Sequence, residues 1–137
     1  MATTRKKATS GYEPKRQQPA FRVSEPGAKG MLLGEKLHRL ITDFGNNRVA
    51  SLLGVSPSQP SRWQKGEERI SAENQRGLLD LDYVMARLLQ LFPQAQTEIW
   101  LNSHNAHLGA RPIDVLRLRG AARVVHAIDA EAQDAYA

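Results

Sequence analysis

The chain has 137 residues and a formal net charge of +5, and this length fits one compact domain or two small ones. It contains no Cys, which excludes a disulfide framework, a thiolate metal site and a Cys nucleophile. No stretch approaches the roughly 18 apolar residues of a membrane span, and the first thirty residues lack the apolar core of a secretory signal. We therefore expect a cytoplasmic protein.

The positive charge is concentrated at the start of the chain. Residues 1–30 hold seven basic and two acidic residues, whereas residues 31–137 hold twelve of each. The first segment also has three Pro, three Gly and no hydrophobic periodicity, so it cannot bury enough apolar surface to offset the entropy of ordering. We predict a flexible basic arm over residues 1–30, either a solubilising tail or a segment that follows the phosphates of a nucleic acid.

Helical periodicity begins at Met31, where apolar residues start to recur at steps of three and four. One helix is predicted over residues 31–44, ending at Gly45, and a second over residues 46–53, ending at Gly54. The side chains expected to face the core are Leu33, Leu37, Leu40 or Ile41, Phe44, Val49, Ala50 and Leu53.

A third short helix follows at once. Ser56 is its predicted N-cap, Pro57 its first residue, and Gln59 the partner of Ser56 in a capping box. This helix runs to about Lys65 and is closed by Gly66.

The fourth helix, capped by Ser71 and predicted to reach residue 92 before Pro93, is long and apolar on more than one side. Its main stripe is Leu78, Leu81, Met85, Leu88 and Phe92. Such a helix is buried by more than one neighbour, in the domain core or in a dimer interface, and the domain core is favoured. Further helices are predicted over 94–101 around Ile99 and Trp100, over 112–118, and over 121–135 with Val124, Val125 and Ile128 inward. No segment has the pattern of a strand, so the fold class is all-α.

Residues 46–66 have the pattern of a helix-turn-helix. Pro60 and Trp63 are expected to point into the core, which leaves a polar outer face on the third helix. The candidate DNA-binding residues on that face are Ser58, Gln59, Ser61, Arg62 and Lys65. Arg reads guanine and Gln reads adenine in the major groove, while Ser and Lys suit phosphates. The alternative is a helical hairpin that binds no DNA, and the net charge of only +2 over residues 31–70 leaves it open.

Residues 47–66 resemble the helix-turn-helix of Xre/Cro-type repressors. The resemblance is carried by Ala50, by the Gly-Val-Ser turn at 54–56, and by Ser-Arg-Trp at 61–63 followed by Gly66. Pro60 departs from that family, which usually has Val or Ile at this position. Because Pro removes a backbone donor and restricts the residue before it, Arg62 is a stronger candidate base reader than Gln59.

The C-terminal half carries a second resemblance. Trp100, the run 105–116 (Asn-Ala-His-Leu-Gly-Ala-Arg-Pro-Ile-Asp-Val-Leu) and the run 123–129 (Arg-Val-Val-His-Ala-Ile-Asp) resemble the antitoxins of the MbcA/ParS/Xre family. This resemblance covers about residues 34–137. It implies a DNA-binding domain over 31–77, a helical dimerisation and toxin-binding domain over 78–137, a homodimer, operator DNA, and a RES-domain toxin that consumes NAD or transfers ADP-ribose.

In that family the C-terminal end reaches into the entrance of the toxin's active site. The resemblance places this role on Asp129, Glu131, Asp134, Tyr136 and Ala137. Many members have a Gly near the position of Asp134, where this chain does not. Residues 124–137 hold three acids and no base, which would complement a basic pocket for the pyrophosphate of NAD. The other interpretation is a solvated helix end.

Catalytic signals are weak. His104 and His107 are three residues apart, but neither a carboxylate nor a Cys completes a metal set, and neither a Gly-rich phosphate loop nor a nucleophile elbow is found. We predict no metal, no cofactor and no enzymatic activity. The leading hypothesis is an antitoxin that also represses its own operon. The alternatives are a stand-alone Xre-like repressor and an interaction module that no longer binds DNA.

Overall fold

The computed structural model describes residues 27–136, and the side chains of residues 32–134. Over this range the chain forms helices and no β-strand, which confirms the predicted all-α class. The helices are α1 (Gly27–Phe44), α2 (Asn46–Leu53), α3 (Gln59–Gln64), α4 (Ala72–Leu89), α5 (Gln94–Asn102), α6 (Pro112–Arg119) and α7 (Ala121–Tyr136). None of the described helices is long and apolar enough to cross a membrane.

The chain divides into two units, Met1–Arg39 and Leu40–Ala137, and their boundary lies within α1. Of the predicted arm 1–30, only its last four residues lie within the described part of the chain, as the first turn of α1. The helix therefore begins four residues before Met31, although this turn contains Gly27 and Gly30, which have low helix propensity. The apolar face predicted for α1 is confirmed, since Leu33, Leu37, Leu40 and Phe44 are all buried.

The second unit is built around α4. This helix packs against α2, α5, α6 and α7, so the expected burial on more than one side occurs within the chain. Its predicted stripe is buried from Leu78 to Leu88, each side chain at most 1% exposed. The neighbouring helices contribute Val49, Ala50 and Leu52 from α2, Leu101 from α5, Ile113 from α6, and Val124, Ala127 and Ile128 from α7. Truncation of one such Leu to Ala costs about 2–5 kcal/mol.

Two predictions about α4 have different outcomes. The Ser71 cap is confirmed, since its hydroxyl accepts a hydrogen bond of 3.1 Å from the Asn74 N–H. The predicted end at residue 92 is wrong, because α4 stops at Leu89. The ring of Pro93 would clash with the carbonyl four residues earlier, that of Leu89, so the last residues before Pro93 leave the helix and Phe92 is only half-buried.

The apolar positions named for α2 and α5 are also partly wrong. In α2 the buried residue of the last turn is Leu52 rather than Leu53, because the interior lies three residues beyond Val49 and not four. In α5 the buried residues are Thr97 and Leu101, whereas Ile99 is 57% exposed and Trp100 is half-buried. A helix of nine residues offers two possible apolar faces, and its neighbours decide between them.

Candidate functional site

The turn between α2 and α3 has the local chemistry that its residues predict. Gly54 adopts φ 75°, ψ 32°, the left-handed conformation that ends helices and that glycine reaches without steric cost. The backbone N–H of Val55 then donates to the Ala50 carbonyl at 3.0 Å. The two short helices are thereby joined by a tight turn, as expected for residues 46–66.

The start of α3 differs from the prediction. The helix begins at Gln59, two residues later than the predicted first residue Pro57, and its N-cap is Ser58 rather than Ser56. Pro60 is then its second residue rather than its fourth, a position where the missing backbone N–H has no helical partner to lose. Half of the predicted capping box forms, because the Gln59 Oε1 accepts a bond of 3.1 Å from the Ser56 N–H.

The outer face of α3 is accessible. Pro60 and Trp63 are buried, as predicted. Of the five candidate DNA-binding side chains, Ser58 and Lys65 are exposed. The other three, Gln59, Ser61 and Arg62, are partly exposed. The fold brings these five together on α3 and its two capping residues, and their contact with DNA stays a prediction.

Glu68 is a residue of this face that the sequence reasoning missed. Beyond α3 the chain reverses at Gly66, where φ is 76° and the Glu67 N–H bonds to the Arg62 carbonyl at 2.9 Å. This reversal places the Glu68 carboxylate over α3. The signal that could have found it is an acid two residues after the glycine that ends a helix, because such a chain folds back onto the last turn.

Three α3 side chains donate to the Glu68 carboxylate. Its Oε2 accepts from Gln59 Nε2 at 2.8 Å and from Trp63 Nε1 at 2.9 Å, and its Oε1 accepts from Arg62 Nε at 3.0 Å. Hydrogen bonds from Gln59, Arg62 and Trp63 hold the pKa of Glu68 below its usual range. The carboxylate therefore stays ionised at neutral pH.

Arg117 on α6 is a second residue whose role the sequence did not specify. Its Nε donates to the Leu52 carbonyl at 3.1 Å, and an Nη2 hydrogen bond reaches the Ser51 carbonyl. The basic group thus satisfies the negative end of α2, instead of pairing with an acid or facing outward. It also lies over Gly54, where an added Cβ would come within 3.4 Å of its Nε. The C-terminal half therefore holds the turn of the two-helix unit.

The acidic residues of α7 are each paired with a different part of the chain. Asp129 forms an ion pair with Arg87 of α4, Glu131 accepts from Trp100 Nε1 at 3.3 Å, and Asp134 lies 4.0 Å from His107 Nε2. Asp129 and Asp134 stay accessible, with side chains 50% and 75% exposed. The side chain of Tyr136 and all of Ala137 lie outside the described part of the chain.

These pairings show that the structure spreads the candidate carboxylates along the helix rather than gathering them at one point. Their partners Arg87, Trp100 and His107 were not predicted as partners, since 27 to 42 residues of sequence separate each pair. Within the described residues, no group of three or more His, Cys, Asp or Glu side chains could hold a metal ion.

The loop between α5 and α6 is organised by Asn105, which is only 8% exposed. Its Oδ1 accepts from the N–H groups of His107 at 2.9 Å and Leu108 at 3.1 Å. Its own backbone N–H donates to the Ala110 carbonyl at 3.0 Å, and Gly109 closes the turn at φ 68°. This side chain therefore fixes the position of His107 beneath Asp134.

We expect Asn105→Ala to lower the free energy of unfolding by about 0.5–1.5 kcal/mol, because the part-buried N–H groups of His107 and Leu108 lose the Asn105 Oδ1 as acceptor. Denaturant unfolding measures this change. Asn102→Ala is the matched control, since Asn102 is exposed and bonds only to the Glu98 carbonyl of its own helix. Equal losses for the two variants would show that Asn105 does not organise the loop.

The family model of the antitoxin Xre/MbcA/ParS C-terminal toxin-binding domain matches residues 87–133. This segment extends from Arg87 across α5 and α6 into α7, and it contains Asp129 and Glu131. Asp134, Tyr136 and Ala137 lie beyond it.

The mycobacterial cidal antitoxins MbcA of Mycobacterium tuberculosis and Mycobacterium bovis are 32% identical to this chain over 89 residues. The alignment covers 64% of this chain and 79% of those antitoxins. A chain in the crystal structure of the M. tuberculosis MbcT–MbcA toxin–antitoxin complex is similar with a TM-score of 0.62 and 29% identity, over 75% of this chain and 96% of that one. The chain therefore belongs to the Xre/MbcA/ParS family of antitoxins.

Proposed function

We propose that this protein binds and blocks a RES-domain toxin that consumes NAD or transfers ADP-ribose, through the end of α7. The observation that carries the proposal is the match of the family's toxin-binding domain to residues 87–133. The MbcA relative is part of a toxin–antitoxin complex with MbcT, which supports a protein partner of this kind. The protein acts by binding and not by catalysis, and it meets its toxin in the cytoplasm.

The electrostatics of α7 support this assignment. Asp129 and Asp134 keep half or more of their side chains exposed although each faces a base of its own chain. The same end of the chain carries a third acid, Glu131, and we assign Tyr136 and Ala137 to the same contact with the toxin. A pocket that binds the pyrophosphate of NAD is positively charged, so an acidic helix end complements its mouth.

The second part of the proposal is repression of the protein's own operon by a homodimer. The outer face of α3 would lie in the major groove, with Arg62 as the main base reader and Ser58, Gln59, Ser61 and Lys65 beside it. The exposure of this face supports the proposal. The division into a DNA-binding part over 31–77 and a dimerisation and toxin-binding part over 78–137 belongs to the same proposal.

Co-expression with the adjacent reading frame tests the toxin partner. We expect the neighbour to arrest growth alone, to be silenced by this chain, and to co-purify with it. A neighbour that is harmless, or that is toxic but neither bound nor silenced, would contradict the antitoxin role. Sequence-specific binding to the operon promoter under that outcome would favour the stand-alone repressor instead.

The basic arm gives a separate prediction about DNA. Deletion of residues 1–26 spares α1 and removes six basic residues. We expect the slope of log affinity for promoter DNA against log salt concentration to become shallower by about one unit for each phosphate that the arm neutralises. The matched control carries the arm with its sequence shuffled, which keeps the charge and should keep the slope. An unchanged slope after deletion would identify the arm as a solubilising tail.

A further inference from the structure

The Glu68 carboxylate occupies an unusual place for an acid in a proposed DNA interface. It lies against the helix whose outer face carries the candidate base readers, and its negative charge opposes the approach of phosphates. Its side chain is 31% exposed, and that of Arg62 is 41% exposed. Such a charge weakens the non-specific attraction between α3 and DNA phosphates. An effect of Glu68 on Arg62 that favours specific binding would offset this loss.

The three bonds to Glu68 come from residues of unequal mobility. Trp63 is buried, so its indole N–H is a fixed donor that anchors Oε2. Gln59 and Arg62 lie on the accessible face, and the anchored carboxylate restrains both side chains. In this Glu68 cluster (Glu68 with Gln59, Arg62 and Trp63), the buried Trp63 fixes the carboxylate, and the carboxylate in turn restrains two side chains on the polar surface of α3.

The bonds also determine which donors of Arg62 point outward. Glu68 binds its Nε, and the Ser58 hydroxyl accepts from its Nη1. A guanidinium has five N–H donors, so within the described residues three of them, on Nη1 and Nη2, are still available. A guanine is read by a bidentate pair of Arg donors to O6 and N7, and the Nη1–Nη2 edge can supply that pair.

Gln59 is in the opposite situation. Its Oε1 accepts from the Ser56 N–H and its Nε2 donates to Glu68. Reading adenine requires both ends of the amide at once. Each end already makes one bond, which leaves one N–H and one acceptor site, but the two bonds fix the amide plane against Glu68 and Ser56. Gln59 is therefore assigned the role of a brace for Glu68, while Arg62 presents its outer edge.

We propose that Glu68 is a specificity-determining positioning residue: it holds Arg62 in the orientation that reads guanine, and it engages Gln59 as a brace rather than a base reader. This inference rests on the proposed DNA-binding function of α3. Pre-organisation of a long side chain lowers the entropy lost when it binds, so the carboxylate gives up non-specific affinity in exchange for discrimination between bases.

The experiment measures base discrimination with the full-length chain. A preferred duplex is selected from random sequences, and affinities are measured for it, for a scrambled duplex, and for duplexes with 7-deazaguanine replacing each guanine in turn. The wild-type chain is expected to lose roughly 5- to 150-fold in affinity at the guanine that Arg62 reads. Glu68→Gln is expected to lose less than about threefold there, while it binds the scrambled duplex as well or better.

Two variants separate positioning from charge. Glu67→Gln removes the same charge at an exposed neighbouring residue, so we expect unchanged guanine discrimination. Glu68→Asp keeps the carboxylate and should restore part of the discrimination. In an Arg62→Ala background, Glu68→Gln should have no further effect on discrimination, because Glu68 acts through Arg62. Thermal unfolding monitored by Trp fluorescence sets a temperature at which every variant is folded.

The failures are distinguishable. If the wild-type chain selects no sequence and binds the promoter no better than scrambled DNA, the proposed DNA-binding function is overturned and this inference with it. If the wild-type chain discriminates and Glu68→Gln discriminates equally, only the role of Glu68 is overturned. Loss of discrimination in Glu67→Gln to the same extent would also overturn it, because the effect would then be one of net charge.

Discussion

Removal of residues 130–137 is expected to abolish neutralisation of the toxin and to leave the fold in place. The truncation deletes Glu131, Asp134 and the last turns of α7, which carry most of the acidic end. It keeps the Asp129–Arg87 ion pair and the buried Val124, Ala127 and Ile128, so α7 stays packed on α4. Growth rescue and co-purification during co-expression measure the loss.

A shorter truncation serves as the comparison. Removal of residues 136–137 tests Tyr136 and Ala137 alone, while the side-chain carboxylates of Asp129, Glu131 and Asp134 stay in place. Circular dichroism and promoter affinity should be unchanged for both truncations, because α2 and α3 lie in another part of the sequence. Neutralisation by the chain that lacks 130–137 would disprove the role of the acidic end. Loss of promoter affinity together with neutralisation would show that the two activities are not separable.

Arg62→Ala is expected to cost about 1–3 kcal/mol of binding free energy at the preferred duplex, the value of one bidentate contact to guanine. Binding to a scrambled duplex should fall much less, because only one positive charge is removed there. The structure supports this expectation, since the outer edge of the guanidinium is held in place by Glu68 and Ser58. Electrophoretic mobility shifts or fluorescence anisotropy at fixed salt concentration provide the affinities.

Arg69→Ala is a suitable control for this variant. Arg69 is exposed, carries the same charge and lies just beyond the Glu68 cluster. Its removal should weaken specific and scrambled binding by similar factors, as expected for a phosphate contact. If Arg62→Ala and Arg69→Ala behave alike, Arg62 does not read a base and recognition lies elsewhere on the protein.

Local features of the fold were predictable because they depend on neighbouring residues. Ser71 caps α4 with its own side chain, and Gly54 and Gly66 end helices in the left-handed conformation. Both devices act over a few residues, so they can be recognised in the chain itself. The errors at residues 57 and 92 occur beside Pro60 and Pro93, where steric effects on the preceding residues shift a helix end.

Candidate site residues were predictable only as surface positions. Exposure of Arg62 and Asp134 follows from the period of their helices and the burial of their neighbours. The residues that pair with Arg62 and Asp134 cannot be predicted from helical periodicity. Glu68 reaches Arg62 only because the chain reverses at Gly66, and Arg117 reaches the end of α2 across 65 residues of sequence.

The all-α class, the position of most helices, the core stripe of α4 and the family of the protein all follow from the amino-acid sequence, since each depends on local pattern and residue identity. Which charges meet follows from the packing of the helices instead: Glu68 with Arg62, Arg117 with the carbonyls of α2, and Arg87 with Asp129. The physical reason is that an ion pair or a long-range hydrogen bond needs a separation of about 3–4 Å. Such separations between distant residues are set by helix packing and not by spacing along the chain.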